Sequence, residues 1–251
     1  MSWSWPFRRG SFAERDVPWI APELGEPEGL VGVGGALTPE TLIRAYADGV
    51  FPWFSDGDPI LWWSPDPRAI IERDGLHVSR RLARTIRSGK FRTTVNRCFP
   101  QVMQACGENR EEGTWVTSEM VAGYTALHQA GYAHSLEVWA APEGNALPAV
   151  DLTIPDKTAL PPDPDWELVG GIYGVAIGGL FAGESMFHRR TDASKVALAS
   201  LVERLRTRGY KLFDVQMTTE HTERMGAITI PRQDYLRRLR EAVRLNNITF
   251  S

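Results

Sequence analysis

The sequence predicts an α+β fold on three local signals. The first is a hairpin: apolar runs Leu168–Ile177 and Leu180–Phe187 meet at Gly178-Gly179, where paired glycines supply the positive φ of a tight turn. The second is a helix after it, capped by Thr191 or Asp192, striped by Val196, Leu201 and Leu205, and stopped at Gly209. The third is a strand, Lys211–Gln216, that follows at once. Mixed helices and strands with hairpin-linked neighbours argue an α+β domain.

Residues 1–30 contain Pro and Trp without periodicity and read as an irregular segment extended over a surface. Thr38-Pro39-Glu40 is a strong helix start: a Thr cap, Pro at the first helical position and an acid in the first turn. That helix runs to about Ala47, stops at Gly49 and turns Leu42, Ile43 and Tyr46 inward. The turn-rich stretch VFPWFSDGDPILWWSPDPR carries Trp53, Trp62 and Trp63, which fit either a small aromatic core pinned by prolines or a stacking platform for a base. Pro65-Asp66-Pro67 reads as a joint between a small N-terminal domain, 1–66, and a larger one, 67–251.

Ser79 caps a short helix to Lys90, with Leu82 and Ile86 facing inward. Arg80, Arg84 and Arg87 fall on its outer face with Arg81 and Lys90 beside them, and no acid lies between Gly75 and Lys90. Such a run fits a solvated face or a phosphate-bearing partner. Phe91–Val95 reads as a strand and Cys98–Cys106 as a short helix. Thr117 caps a helix through Ala130 that buries Met120, Tyr124 and Leu127 and stops at Gly131. Ser135–Ala140 is a strand, and the Pro- and Asp-rich insert Ala141–Trp166 a surface loop. A helical stretch near His221–Met225, a strand at Ile228–Ile230 and a helix over Gln233–Leu245 complete the chain.

The 251 residues carry a net charge of -3, so any nucleic-acid contact must use a local patch. Composition, 43% hydrophobic and 24% charged, is that of a soluble globular protein. Cys98 and Cys106 lack metal-ligand spacing and read as reduced thiols of a cytosolic protein; no apolar leader or membrane-length run appears. A cytoplasmic enzyme or binding protein fits. His128 and His134, each beside apolar residues, read as core groups, and no metal spacing occurs. GGIYGVAIGG lacks the GxGxxG spacing and the helix of a nucleotide loop, and there is no nucleophile elbow or kinase set.

Alternation along Lys211–Gln216 puts Leu212, Asp214 and Gln216 on one face, and Phe213 and Val215 on the other. Glu184 stands alone among Phe181, Ala182, Met186 and Phe187. Any one polar residue in a strand fits an edge-strand side chain pointing to water; three in neighbouring apolar strands favour a site.

Longer stretches resemble the leucyl/phenylalanyl-tRNA–protein transferases. PEGLVGVGGALTPETLIRAYADGVFPWF, LWWSPDPR, EEGTWVTSEM, GYAHSLEVW, LVGGIYGVAIGGLFAGESMF, DASK and LFDVQ occur in one order from Pro27 to Leu239, interrupted by the insert. The resemblance implies a C-terminal domain of the N-acetyltransferase-like (GNAT-like) fold. It implies transfer of Leu or Phe, with Met a third candidate, from aminoacyl-tRNA to the α-amine of a protein's N-terminal Lys or Arg, a degradation signal. No metal or other cofactor is implied, and neither membrane nor DNA is an expected partner. Gln216, oriented by Asp214, is implied in proton transfer, with positioning and oxyanion stabilisation as the alternative. Glu184 matches a residue at the pocket edge suited to a substrate ammonium, and Ile172, Phe181 and Met186 help line an apolar pocket. Trp53 and Trp115 match residues holding the 3′-terminal adenosine, with Tyr46 and Tyr124 nearby. Arg80, Arg81, Arg84, Arg87 and Lys90 match a basic cluster for the acceptor stem. The chain departs from the family at GGALTP, for GGDLSP, at DVQ, for DCQ, and at His188, for Ser.

Overall fold

Capping chemistry places the helix ends close to where the sequence puts them. The computed structural model describes residues 17–108, 116–141 and 165–251; the insert from 142 to 164, Trp115 and the first sixteen residues lie outside the described residues. Strand β1 (Leu30–Val33) leads to helix α1 (Pro39–Asp48), where the Thr38 hydroxyl accepts from the Thr41 amide and Gly49 closes the helix at φ 82. Strands β2 (Phe51–Pro52) and β3 (Leu61–Trp63) join β1 in a three-stranded sheet ordered β1-β3-β2. Trp62 is fully buried beneath it, donating to the Gly34 carbonyl, so its role there is packing.

The larger sheet begins with β4 (Arg68–Ile71), followed by helix α2 (Arg80–Arg87), β5 (Phe91–Val95), α3 (Phe99–Gly107), α4 (Ser118–Gln129) and β6 (Ala133–Ala140). Ser79 and Thr117 cap α2 and α4 through their hydroxyls. The hairpin is β7 (Glu167–Ile177) and β8 (Leu180–His188), turning at Gly178 with φ 55. Helix α5 (Ala193–Arg208), β9 (Leu212–Gln216), α6 (Glu220–Arg224), β10 (Ala227–Ile230) and α7 (Arg232–Ala242) follow. Asp192 stands at the cap position of α5 but does not cap: at φ 71 its carboxylate turns to Arg81 and Lys195. Helix α7 ends at Ala242, short of the expected Leu245.

The seven strands run in the order β10-β4-β9-β8-β7-β6-β5. All are paired antiparallel except β8 and β9, which run parallel because α5 carries the chain back across the sheet. Alternate residues therefore enter two cores. One, with Tyr173, Ala182 and Leu212, lies under α1, α3, α4 and α7; the other, with Ile172, Phe181 and Phe213, lies under α2 and α5. The first is continuous from Leu42, Tyr46 and Trp62 to Tyr124 and Leu236, so the segments flanking the Pro65–Pro67 joint share a core. Among the described residues no helix is long and apolar enough to cross a membrane.

Candidate active site

An opening in the middle of the sheet brings the polar residues together. β8 is the central strand, yet Gly183, Glu184, Ser185 and Met186 are all half-exposed. The cause is its neighbour: the β8–β9 ladder runs Leu180↔Leu212, Phe181↔Phe213, Ala182↔Asp214 and stops, although β8 continues to His188. Beyond Asp214, β9 stays paired with β4 but shifts register by one residue before Gln216, which is left-handed at φ 56, a conformation costly for a residue with a Cβ. On the other side β8 bulges. Gly183 faces Gly174 and Ser185 faces Tyr173, so Glu184 is the extra residue and escapes the alternation.

Asp214 is completely buried and fully engaged. Arg68 reaches it bidentately, Nε to Oδ1 at 2.9 Å and Nη2 to Oδ2 at 2.7 Å; the Tyr235 hydroxyl donates to Oδ2 at 2.8 Å and the Gln216 amide to Oδ1 at 2.9 Å. A carboxylate offers about four acceptor positions, and all of these are taken. Arg68 is itself sandwiched by the Phe51 and Tyr235 rings and donates Nη1 to the Gly49 carbonyl. Burial opposes its charge, but Asp214 outweighs that and holds its pKa above the ordinary arginine value.

Glu184 lies across the opening. Its Oε1 accepts from Gln216 Nε2 at 3.1 Å and its Oε2 from the Tyr124 hydroxyl at 3.3 Å, while Tyr46 and Tyr124 share a very short hydroxyl–hydroxyl bond. Burial pushes the Glu184 pKa up to about 7; hydrogen bonding from Tyr46 works against the rise, and the Asp214 charge adds to it. Burial also raises both tyrosines far above their usual value, so they stay hydroxyl donors. The arrangement holds one carboxylate locked in an ion pair and a second near its own titration point, with Gln216 between them, its main-chain amide on Asp214 and its carboxamide on Glu184.

The other expected residues fall in three places. Ile172 and Phe181 are buried in the core under α5, and Met186 packs against it; Phe181 stacks on Phe250 at 5.1 Å. Trp53 is 41% exposed at the rim of the small sheet, edge-on to Trp63, whose indole donates to the Trp53 carbonyl. The α2 cations are exposed; Arg81 is paired with Asp192, which corrects its reading as unpartnered, whereas among the described residues Arg80, Arg84 and Arg87 make no ion pair. His188 is exposed at the end of β8. Sequence reasoning missed Arg68 and Tyr235; a lone Arg opening an apolar strand was the available signal. Among the described residues, no cluster of His, Cys, Asp or Glu is arranged to hold a metal ion.

Comparison with known proteins agrees with the resemblance. Residues 70–147 and 164–240 match the leucyl/phenylalanyl-tRNA protein transferase family, and residues 35–66 match that family's N-terminal domain. A Magnetococcus marinus leucyl/phenylalanyl-tRNA–protein transferase is 48% identical, covering 88% of this chain and 86% of the relative. Counterparts from Anaeromyxobacter, 47% identical, and Chromobacterium violaceum, 45% identical, each cover 91% of this chain and 88% and 92% of themselves.

Proposed function

This chain belongs to the leucyl/phenylalanyl-tRNA protein transferase family, and from that footing we propose that it transfers Leu or Phe from aminoacyl-tRNA to the α-amine of an N-terminal Lys or Arg. The product carries a degradation signal, and the cytoplasm, where charged tRNA is present, is the setting. The observation that carries the reading is the meeting of Glu184, Gln216 and Asp214 at the parallel-strand opening. An aminoacyl ester is already activated, so the protein has to place an amine against a carbonyl and manage its proton. The splayed β8–β9 pair supports reading 67–251 as an N-acetyltransferase-like domain beside a small N-terminal domain, 1–66.

On this reading the aminoacyl side chain enters the opening toward the apolar layer of Ile172, Phe181 and Met186. Trp53 offers a stacking surface to the terminal adenosine, worth about 1–3 kcal/mol per stacked base; the same contact is assigned to Trp115 from the family resemblance alone. Arg80, Arg84 and Arg87, unpaired among the described residues, face the acceptor-stem phosphates. Phosphate contacts carry no base information, so these arginines act alike on every tRNA. A coenzyme-bound acyl donor fits less well. Its pyrophosphate would lie at the N-terminus of a helix, and there α5 presents Asp192, whose carboxylate is engaged by Arg81 and Lys195.

The test is incubation of the protein with Phe-tRNA and an Arg-initiated peptide, without added nucleotide or coenzyme. Phe-extended peptide is the expected product. Tight tRNA binding with intact donor and no extended peptide would overturn transfer and leave a binding protein.

A further inference from the structure

Resting on that reading of the reaction, we infer that Glu184 is the group that accepts the acceptor amine's proton, whereas Asp214 only holds the Gln216 backbone in place. Asp214 has no acceptor position left: Arg68, Tyr235 and the Gln216 amide fill its lone pairs, and it contacts the main chain of Gln216 rather than its carboxamide. It therefore neither takes a proton nor polarises the Gln216 side chain. Gln216 is a poor base itself, and its amide nitrogen donates to Glu184. Its carbonyl oxygen remains to receive an amine N–H.

Glu184 has the opposite character. Gln216, Tyr124 and Tyr46 hydrogen-bond it, three donors against about four acceptor positions, so one position stays open. The bulge that frees it from the ladder puts it at the half-exposed gap between β8 and β9. The groups facing it are Tyr46 from α1, Tyr124 from α4, Asp214 from β9 and Arg68 from β4. Burial foremost brings its pKa to about 7, where carboxylate and acid are both populated at neutral pH and proton exchange is most effective.

The step balances without another reagent. The amine nitrogen forms a C–N bond to the ester carbonyl carbon, and the carbonyl π electrons move to oxygen. A proton from the new ammonium nitrogen passes to the Glu184 carboxylate. Collapse of the tetrahedral centre breaks the C–O bond to ribose, and Glu184 returns the proton to the departing ribose oxygen, giving amide and free hydroxyl.

Single-turnover transfer from saturating Phe-tRNA to an Arg-initiated peptide, measured from pH 5.5 to 9, tests this. The acceptor amine titrates identically for every variant, so differences between variants are what count. Glu184→Gln should lose about 10²-fold or more in rate and lose the acid limb seen in the wild type, with donor affinity within a few-fold. Tyr124→Phe removes a donor that favours the carboxylate, so its acid limb should move to higher pH and its rate deficit shrink on the alkaline side. A folded Glu184→Gln that keeps the wild-type limb, or that weakens donor binding at unchanged rate, overturns the assignment: Glu184 would then be only an ammonium holder. Equal loss at every pH in Tyr124→Phe also overturns it. Absence of product from the wild type would overturn the transferase reading and this assignment with it.

Discussion

Arg68→Met would remove the guanidinium from Asp214 while leaving an unbranched apolar chain between Phe51 and Tyr235. The side chains of Arg68 and Asp214 are 1% and 0% exposed, so no water replaces what is lost. Removing one partner of such a pair costs about 3–5 kcal/mol, because the other charge stays buried. The Gly49 carbonyl also loses its donor, adding about 1 kcal/mol or more; the remaining bonds from Tyr235 and the Gln216 amide offset part of this. A net loss of about 3–5 kcal/mol is a large share of the roughly 5–15 kcal/mol that holds a domain folded. Urea unfolding followed by circular dichroism would measure it. Adding Asp214→Asn should recover part of the loss. A cost under about 1 kcal/mol would refute the ion-pair account.

Four further outcomes are expected. Gln216→Gly removes a left-handed non-glycine residue, so unfolding free energy should hold or rise by about 1 kcal/mol while transfer falls at least about tenfold. Because the Glu184 pKa rises from 4.5 to about 7 on folding, its contribution is present below pH 4.5 and is lost as pH rises through 7, up to roughly 3 kcal/mol; a melting-temperature series should show that fall in the wild type and not in Glu184→Gln. Arg84→Ala should weaken binding of every tRNA and lower the slope of log affinity against log salt by about one. Arg81→Ala should do less in the same titration, since Arg81 is already paired with Asp192.

Most of the elements were legible because their determinants are close in sequence. Thr38, Ser79 and Thr117 cap helices through contacts three residues away, and Gly49, Gly131 and Gly209 end or follow helices with positive φ. The α5 entry shows the limit: Asp192 has the cap identity, but Arg81, distant in sequence, competes for its carboxylate and wins. On the arginine helix, Arg81 likewise finds its partner, Asp192, 111 residues away, where no local pattern shows it.

Local order along the chain is sufficient to determine the hairpin, the α5–β9 unit and the polarity pattern that singles out Glu184, Asp214 and Gln216. It does not determine what those three side chains do. Arg68 is 146 residues from Asp214 and Tyr235 comes from the last helix; only folding brings them into one buried cage. The bulge at Glu184 and the early end of the β8–β9 ladder arise from pairing between strands, which no single strand's alternation encodes. Periodicity is a near-neighbour property, whereas the protonation character of a carboxylate depends on every charge and dipole that the fold places around it.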